Sequence, residues 1–328
     1  MSKILVTGGV GFIGSHLVKR LVKLGHEVTV IDNFARGNSS RIDDVVDSVN
    51  LKDLDLRYDF NKLLAASKEV DLIFHLAAIN GTENFYNHPD LVLDVGVLSI
   101  LNILNTVEKN NIENLIVASS AEVYQSAKII PTPEEIELVI PDPYEARYSY
   151  AASKIISEQL TLAYLKSNRI KNALIFRPHN VYGPDMGNKH VIPQFITRAK
   201  TIKDLGYSQK FDIYGDGSET RAFCYVDDIV EGLILLMDKG ASGKIYHIGN
   251  DEEISINQLF DILNKHHQGK LSLNYKNVAS GSTLRRCPDI TKMKNLGFSP
   301  QTSIDSGFAN TIDWYASYFI DNKENSLL

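Results

Sequence analysis

The amino-acid sequence predicts an α/β protein built on a doubly wound parallel sheet, and three observations carry the prediction. Short apolar runs alternate with helical stretches along the chain. The first two runs are joined by a glycine-rich turn and a helix. No repeat, low-complexity run or long linker interrupts the alternation. The 328 residues suffice for two modest domains or for one large domain with an added lobe.

Lys3 to Val6 forms the first apolar run and enters Gly8-Gly9-Val10-Gly11-Phe12-Ile13-Gly14. Ile13, Leu17, Val18, Leu21, Val22 and Leu24 then recur at helical spacing until Gly25-His26 stops the helix. Val28 to Ile31 is a second β-type run that ends at Asp32. Strand, glycine turn, helix, strand and acid thus succeed one another within about thirty residues. Glycines allow a tight turn and let backbone N–H groups approach a pyrophosphate at the positive end of the helix. An acid about twenty residues on binds the hydroxyls of an adenosine ribose, so the segment predicts NAD. The carboxylate of Asp32 would repel a 2′-phosphate, and Arg36 is the one nearby residue that softens this preference.

Leu51 to Leu56, Asp71 to Phe74 and Asn114 to Ala118 continue the strand series, and Leu91 to Val107 is helical in pattern. After the fifth run come Ala118-Ser119-Ser120-Ala121-Glu122-Val123-Tyr124 and, past a proline-punctuated loop, Tyr150-Ala-Ala-Ser-Lys154. Tyr-x-x-x-Lys is weak by itself: with fifteen tyrosines about one chance copy is expected, and Tyr58 with Lys62 is another instance. Position separates them. Tyr150 and Lys154 lie one turn apart on a long helix, downstream of a serine at a strand's C-terminal end, where open α/β sheets bind ligands. A tyrosine of pKa ~10 is a poor base at neutral pH. A lysine ammonium one turn on, with a positive nicotinamide, is expected to lower it. The phenolate would take a proton from a substrate hydroxyl as the same carbon gives up hydride, and Ser120 would position that oxygen.

The spacing Gly8, Gly11, Gly14 after Thr7 resembles the extended short-chain dehydrogenase/reductase family, in its nucleotide-sugar epimerase/dehydratase branch. The likeness continues in order along nearly the whole chain. His75-Leu76-Ala77-Ala78 resembles the family's HLAA segment beside the cofactor, and Asp55-Leu56 stands where the family contacts adenine. By itself His75 reads as a packing residue. Arg177 to Pro184 resembles the junction to a substrate lobe, with Asn180 on the sugar or its diphosphate. Tyr214 to Arg221 matches a GDG-x-x-x-R segment, which puts Arg221 on phosphate or ribose. Val226-Asp227-Asp228-Ile229 opens a helix that its carboxylates are expected to cap. Arg285-Arg286 before Pro288-Asp289-Ile290 matches the last signature, and either arginine, Arg286 the more so, is expected to clamp a diphosphate.

The resemblance implies a Rossmann-type domain over 1–178 plus about 222–249, and a smaller α/β substrate lobe over 179–221 plus 250–328. It assigns NAD to Gly8, Gly11, Phe12, Ile13, Gly14, Asp32, Asn33, Asp55, Leu56, Leu76, Ala77, Ala78, Tyr150 and Lys154. Catalysis falls to Ser120, Tyr150, Lys154 and Glu122, and the substrate to Glu122, Asn180, Arg221 and Arg286.

Members of this branch share an opening oxidation at sugar C4. They differ in the later steps: epimerisation, loss of water, loss of CO₂ or release of the oxidised sugar. The 4,6-dehydratases carry Asp-Glu after the hydroxyl residue, and Ala121 has no proton to give. The decarboxylases resemble Ala121-Glu122 and the Arg-Arg-x-Pro-Asp-Ile stretch more closely. Simple 4-epimerases carry a small or hydroxylated residue at the position of Glu122. Gln125 stands where the family has glycine, and Arg221-Ala222 lacks the usual Asp. Asn80 to His88 is unusually polar and aromatic and is expected to line the sugar pocket. The leading expectation is a nucleotide-sugar epimerase serving polysaccharide biosynthesis, with dehydrogenase, decarboxylase or dehydratase as alternatives. A non-catalytic relative would be expected to lose Ser120, Tyr150 or Lys154, and all three remain.

Family members pair through two helices into a four-helix bundle, so Leu98, Leu101, Ile155, Ile156 and Leu160 are candidates for a homodimer face. A net charge of −6 without a basic stripe argues against nucleic acid. No stretch reads as a signal peptide or a spanning segment, and Cys224 and Cys287 lack metal-site spacing, which together predict a cytoplasmic protein without a metal.

Overall fold

The structure is a computed structural model that describes residues 1–188, 190–277 and 284–321. The first half of the chain lays down β1 (Lys3–Thr7), α1 (Phe12–Lys23), β2 (Glu27–Asp32), β3 (Val49–Asp53), α2 (Phe60–Ala66) and β4 (Leu72–His75). Next come α3 (Thr82–Asn87), α4 (Pro89–Lys109), β5 (Asn114–Ala118), α5 (Ser149–Lys166) and β6 (Asn172–Pro178). Beyond β6 lie β7 (Val181–Tyr182), α6 (Val191–Asp204), β8 (Phe211–Tyr214), β9 (Thr220–Arg221), β10 (Cys224–Tyr225), α7 (Val226–Lys239) and β11 (Ile245–Ile248). The chain ends with β12 (Ile254–Ser255), α8 (Ile256–His266), β13 (Leu273–Lys276), β14 (Arg285–Arg286), α9 (Thr291–Leu296) and α10 (Ile304–Asp321).

Seven strands form one parallel sheet in the order β11-β6-β5-β4-β1-β2-β3, the doubly wound arrangement expected. The order reverses between β1 and β4, and the crevice at that point lies outside the strands' C-terminal ends. The central strands β1, β4, β5 and β6 are largely apolar because both faces are covered, while the edge strand β3 carries Asn50, Lys52 and Asp53 and is partly exposed. One face packs Val6, Phe74 and Ile116 against Leu17 and Leu21 of α1 and Ile229 and Leu233 of α7. The other packs Leu5, Ile73 and Val117 against Ile100, Ile103 and Leu104 of α4.

A separate apolar cluster holds the lobe together, with Ile192, Phe195 and Ile196 of α6, Leu259 and Leu263 of α8, and Phe308 and Tyr315 of α10. Not everything after residue 250 packs there. Ile290, Met293 and Phe298 lie in the cluster on the sheet, so the segment around α9 returns to the larger domain. Residues 322–328, the end of the range expected for the lobe, lie outside the described residues.

Two local expectations are corrected. Asp227 and Asp228 do not cap α7, whose N-cap is Tyr225 without a side-chain bond. The Asp228 carboxylate instead accepts from Gln301 N at 2.9 Å and Thr302 N at 3.0 Å, and Asp227 meets His16 Nδ1 at 2.7 Å. Also, among the described residues one helix, α4, is long and apolar enough to cross a membrane by length and composition. Its apolar residues serve packing here: Val92, Ile100, Ile103, Leu104 and Val107 are buried, and Gly96 lies close against Ser153 of α5.

Candidate active site

A cavity of about 590 Å³ opens at the C-terminal ends of the strands and runs from the glycine turn to Glu122 and Arg286. Its floor is set by the first turn. Gly8 has φ +69°, which favours glycine, and a Cβ there would sit 2.9 Å from the Ala77 backbone. A Cβ on Gly14 would fall 2.1 Å from the Gly8 carbonyl oxygen, so helix and turn can close only on glycine. Helix α1 starts at Gly11 with no side-chain cap, and Gly11, Phe12, Ile13 and Gly14 line the cavity. Its first N–H groups therefore face the space where an anion gains most from the helix dipole.

Asp32 ends β2 on the same wall, its carboxylate accepting from Phe34 N at 2.9 Å and Val10 N at 3.3 Å. Burial raises its pKa above the usual carboxylate value, while these backbone bonds oppose the shift. Asp55 lines the cavity close by, tied to Arg57 Nη2 at 2.8 Å and Asn33 Nδ2 at 3.0 Å, which holds its pKa near about 2. Leu56, Leu76, Ala77 and Ala78 complete this half. An uncapped helix start, a turn that admits only glycine and a fixed acid fit a dinucleotide such as NAD. Asp32→Ala is expected to weaken NAD by about tenfold or more, as loss of a charged hydrogen bond should, and the sugar far less. Titration calorimetry reads both, and equal weakening would contradict the ribose assignment.

At the other half Ser120 ends the fifth strand's loop and accepts from Glu122 N at 3.1 Å. Tyr150, in the first turn of α5, is buried, and the Ser120 hydroxyl lies close enough to favour its ionised form. Burial pushes that phenol up to about 12, against the lowering effects of Ser120 and the Arg36 charge. Lys154 is one turn along, but its ammonium donates to the Ala118 carbonyl at 2.7 Å and stands 5.7 Å from the Tyr150 ring centroid. Charge relief for Tyr150 comes from Arg36, a contribution the sequence pattern does not show. Burial brings Lys154 itself down to about 8.

Glu122 and Arg286 line the same end of the cavity and form an ion pair across it. Asn180 also lines it, with φ +40° and its amide donating to the Ala222 carbonyl at 3.1 Å. Arg221 is not among the lining residues: its guanidinium donates to the carbonyls of Thr220 at 2.8 Å and Leu284 at 3.4 Å. Asn80, Gly81 and Phe85 from the polar, aromatic segment do reach the wall. Gln125, where the resemblance expects glycine, takes φ +51°, and its side chain donates to the Glu122 carbonyl at 2.7 Å. His75 is a packing residue, buried, meeting Thr7 Oγ1 at 2.8 Å and held neutral by a pKa lowered to about 3. Tyr58 is exposed, and Lys62 beside it pairs with Asp59 at 2.8 Å, away from this cavity.

Sequence reasoning missed the clasp at the cavity's mouth. Arg41 grips Asp185 through Nε at 2.7 Å and Nη2 at 2.9 Å, and reaches the Val10 carbonyl at 3.2 Å. It thereby ties the turn region to the stretch after β7, whose Met186 and Gly187 also line the cavity. His190 was missed as well; no spacing pointed to it. Among the described residues no group of three His, Cys, Asp or Glu could hold a metal ion.

A family model described as the NAD dependent epimerase/dehydratase family matches residues 4–249. The chain is 33% identical over 321 residues to a UDP-N-acetyl-alpha-D-glucosaminuronate decarboxylase of Bacillus cytotoxicus, covering 95% of this chain and 97% of that one. It is 32% identical to a putative UDP-glucose 4-epimerase of Methanocaldococcus jannaschii, over 95% and 97% of the two chains. A solved UDP-N-acetylglucosamine 4-epimerase from Methanobrevibacter ruminantium M1 superposes with a TM-score of 0.85 at 26% identity, over 97% of this chain and 99% of that one.

Proposed function

This chain belongs to the NAD dependent epimerase/dehydratase family, and from that premise we propose that it is a nucleotide-sugar epimerase working by transient oxidation at sugar C4. The observation that carries the reading is the meeting of Ser120, Tyr150 and Lys154 with the glycine turn in one cavity. Bound on that turn, NAD supplies a hydride acceptor for the carbon being oxidised. Tyr150 takes the proton of the C4 hydroxyl through its phenolate oxygen. Ser120, close to that phenol, holds the same sugar oxygen in line. Lys154 fixes the α5 turn against the Ala118 carbonyl and adds positive charge beneath the ring. Asn180 and Arg286 are the proposed contacts to the sugar diphosphate. Ala121, buried in the turn after Ser120, leaves no acid beside Glu122 for expelling a hydroxyl.

One observation favours a second outcome. Arg286 holds the Glu122 carboxylate in the reacting half, where it suits acid/base chemistry beside C5 of a sugar bearing a C5 carboxylate. Oxidation at C4 would make such a substrate a β-keto acid, which loses CO₂. The relative from Bacillus cytotoxicus carries decarboxylase in its name.

Incubation with UDP-, GDP-, CDP- and dTDP-sugars, then measurement of product mass and stereochemistry, separates the outcomes. Unchanged mass with inversion at C4 is expected; loss of CO₂ from a UDP-hexuronate would replace epimerase by decarboxylase. Under the epimerase reading Glu122→Gln lowers turnover by no more than about tenfold, the effect of one weakened hydrogen bond. Under the second, product formation stops while C4 oxidation survives.

The proposal includes a homodimer through α4 and α5. Leu98 and Ile156 stay exposed on that pair, while Leu101, Ile155 and Leu160 are half-buried. Sedimentation at the mass of one 36.6 kDa chain would contradict it.

A further inference from the structure

Phe85 stacks on Tyr150, with ring centroids 5.0 Å apart and planes 14° from parallel. It belongs to the short helix α3, which starts at Gly81 with φ +116° and packs against the turn Ala146–Tyr148 just before α5. A neighbouring feature fixes the same corner. The Arg36 guanidinium lies beside Gly81, 3.6 Å from where a Cβ would stand, and its charge acts on Tyr150.

The geometry matters because of what a tyrosine base requires. Rotation about χ2 is broad for an aromatic ring, so a Tyr at a cavity wall has no intrinsic reason to keep one ring plane. A parallel stack gives it one. It also removes water from one face of the phenol, and burial is the largest influence on this hydroxyl. The hydroxyl lies near Ser120 and the ring is stacked on Phe85, so the plane of the phenol is set from α3. Phe85 itself is half-buried on the cavity wall and its contact is made through Tyr150.

We propose that Phe85 is a positioning residue for Tyr150: it fixes the plane of the ring and shields the phenol from water, coupling the seat of α3 to proton transfer. The inference rests on the reading of Tyr150 as the base.

The test compares Phe85→Leu, Phe85→Met and Phe85→Tyr with the wild-type chain, each loaded with NAD, across a pH series. Loss of the ring is expected to lower kcat by about 10- to 100-fold, the scale of a misplaced catalytic group, with KM changed less than about threefold. Water returning to Tyr150 should lower its pKa, so the acid limb of kcat moves to lower pH in the Leu and Met variants. Phe85→Tyr, which keeps the ring, should restore both the rate and the limb. Unmoved kcat and limb in the Leu and Met variants would overturn the proposal, as would a fall in melting temperature alone. A parallel Tyr150→Phe measurement separates the failures. If that variant keeps turnover, the reading of the base is wrong. If it is inactive while Phe85→Leu is unaffected, only the role of Phe85 falls.

Discussion

Replacing Tyr150 by Phe is expected to lower turnover by about 10²- to 10⁴-fold, the usual contribution of a positioned acid–base group, while NAD content stays unchanged. The two effects separate because different parts of the chain carry them. The ring of Phe fills the same buried space and keeps the stack on Phe85. The glycine turn and Asp32, which line the far half of the cavity, are untouched. Only the hydroxyl near Ser120 is lost. Burial raises the phenol's pKa to about 12, so at neutral pH the resting group is protonated and its base form gains as pH rises. Turnover should therefore climb with pH in the wild-type chain, and the Phe variant should lose that dependence. Steady-state rates across pH, with cofactor released by denaturation and quantified by mass, check both. Near-normal turnover in Tyr150→Phe would remove Tyr150 from the mechanism.

Glu158→Ala is expected to destabilise the protein by about 3–5 kcal/mol, the cost of leaving one partner of a buried ion pair uncompensated. Glu158 on α5 receives Arg177 of β6 through Nε at 2.8 Å and Nη2 at 2.6 Å, and both side chains are within 2% of fully buried. Ser119 Oγ donates to the same carboxylate at 2.5 Å. Arg177 also bonds the Tyr124 hydroxyl, which meets His247 Nε2 at 2.6 Å. Removing the carboxylate strands a guanidinium and a hydroxyl at once. The double variant Glu158→Leu with Arg177→Met should recover much of the loss, because it removes the buried charges together. Urea unfolding of the three chains reads this. A loss below about 1 kcal/mol, typical of an exposed pair, would show that the buried network does not hold β6 to α5.

The features legible in the sequence were local. The glycine turn, Asp32 and the Tyr150–Lys154 pair announce themselves because their spacing is dictated by one turn, one strand or one helix. Most of the sheet was legible for the same reason, β1, β2, β4 and β5 being short apolar runs between helices, whereas the edge strands β3 and β11 were legible only in part or not at all. Contacts between distant residues were not. The Arg41–Asp185 clasp joins positions 144 apart, and the Glu122–Arg286 pair joins positions 164 apart. Phe85 lay in a segment marked only as polar and aromatic, and nothing in the sequence pattern says that its ring meets Tyr150. Asp228 shows the converse error. An acid at a helix start reads as a cap by the local rule, yet its carboxylate holds the backbone at residues 301 and 302. Lys154 was found by spacing, but spacing could not show that its ammonium is engaged by the Ala118 carbonyl.

The central claim is that the C4 hydrogen leaves the sugar as hydride while Tyr150 takes the hydroxyl proton. The most direct measurement is one turnover of a C4-deuterated nucleotide sugar on the NAD-loaded enzyme in ordinary water, with the label located by mass spectrometry. The account predicts that deuterium stays with the enzyme's contents, returned to C4 of the product, with none in solvent. Product carrying protium at C4 and deuterium in the water would show proton exchange at that carbon and contradict it.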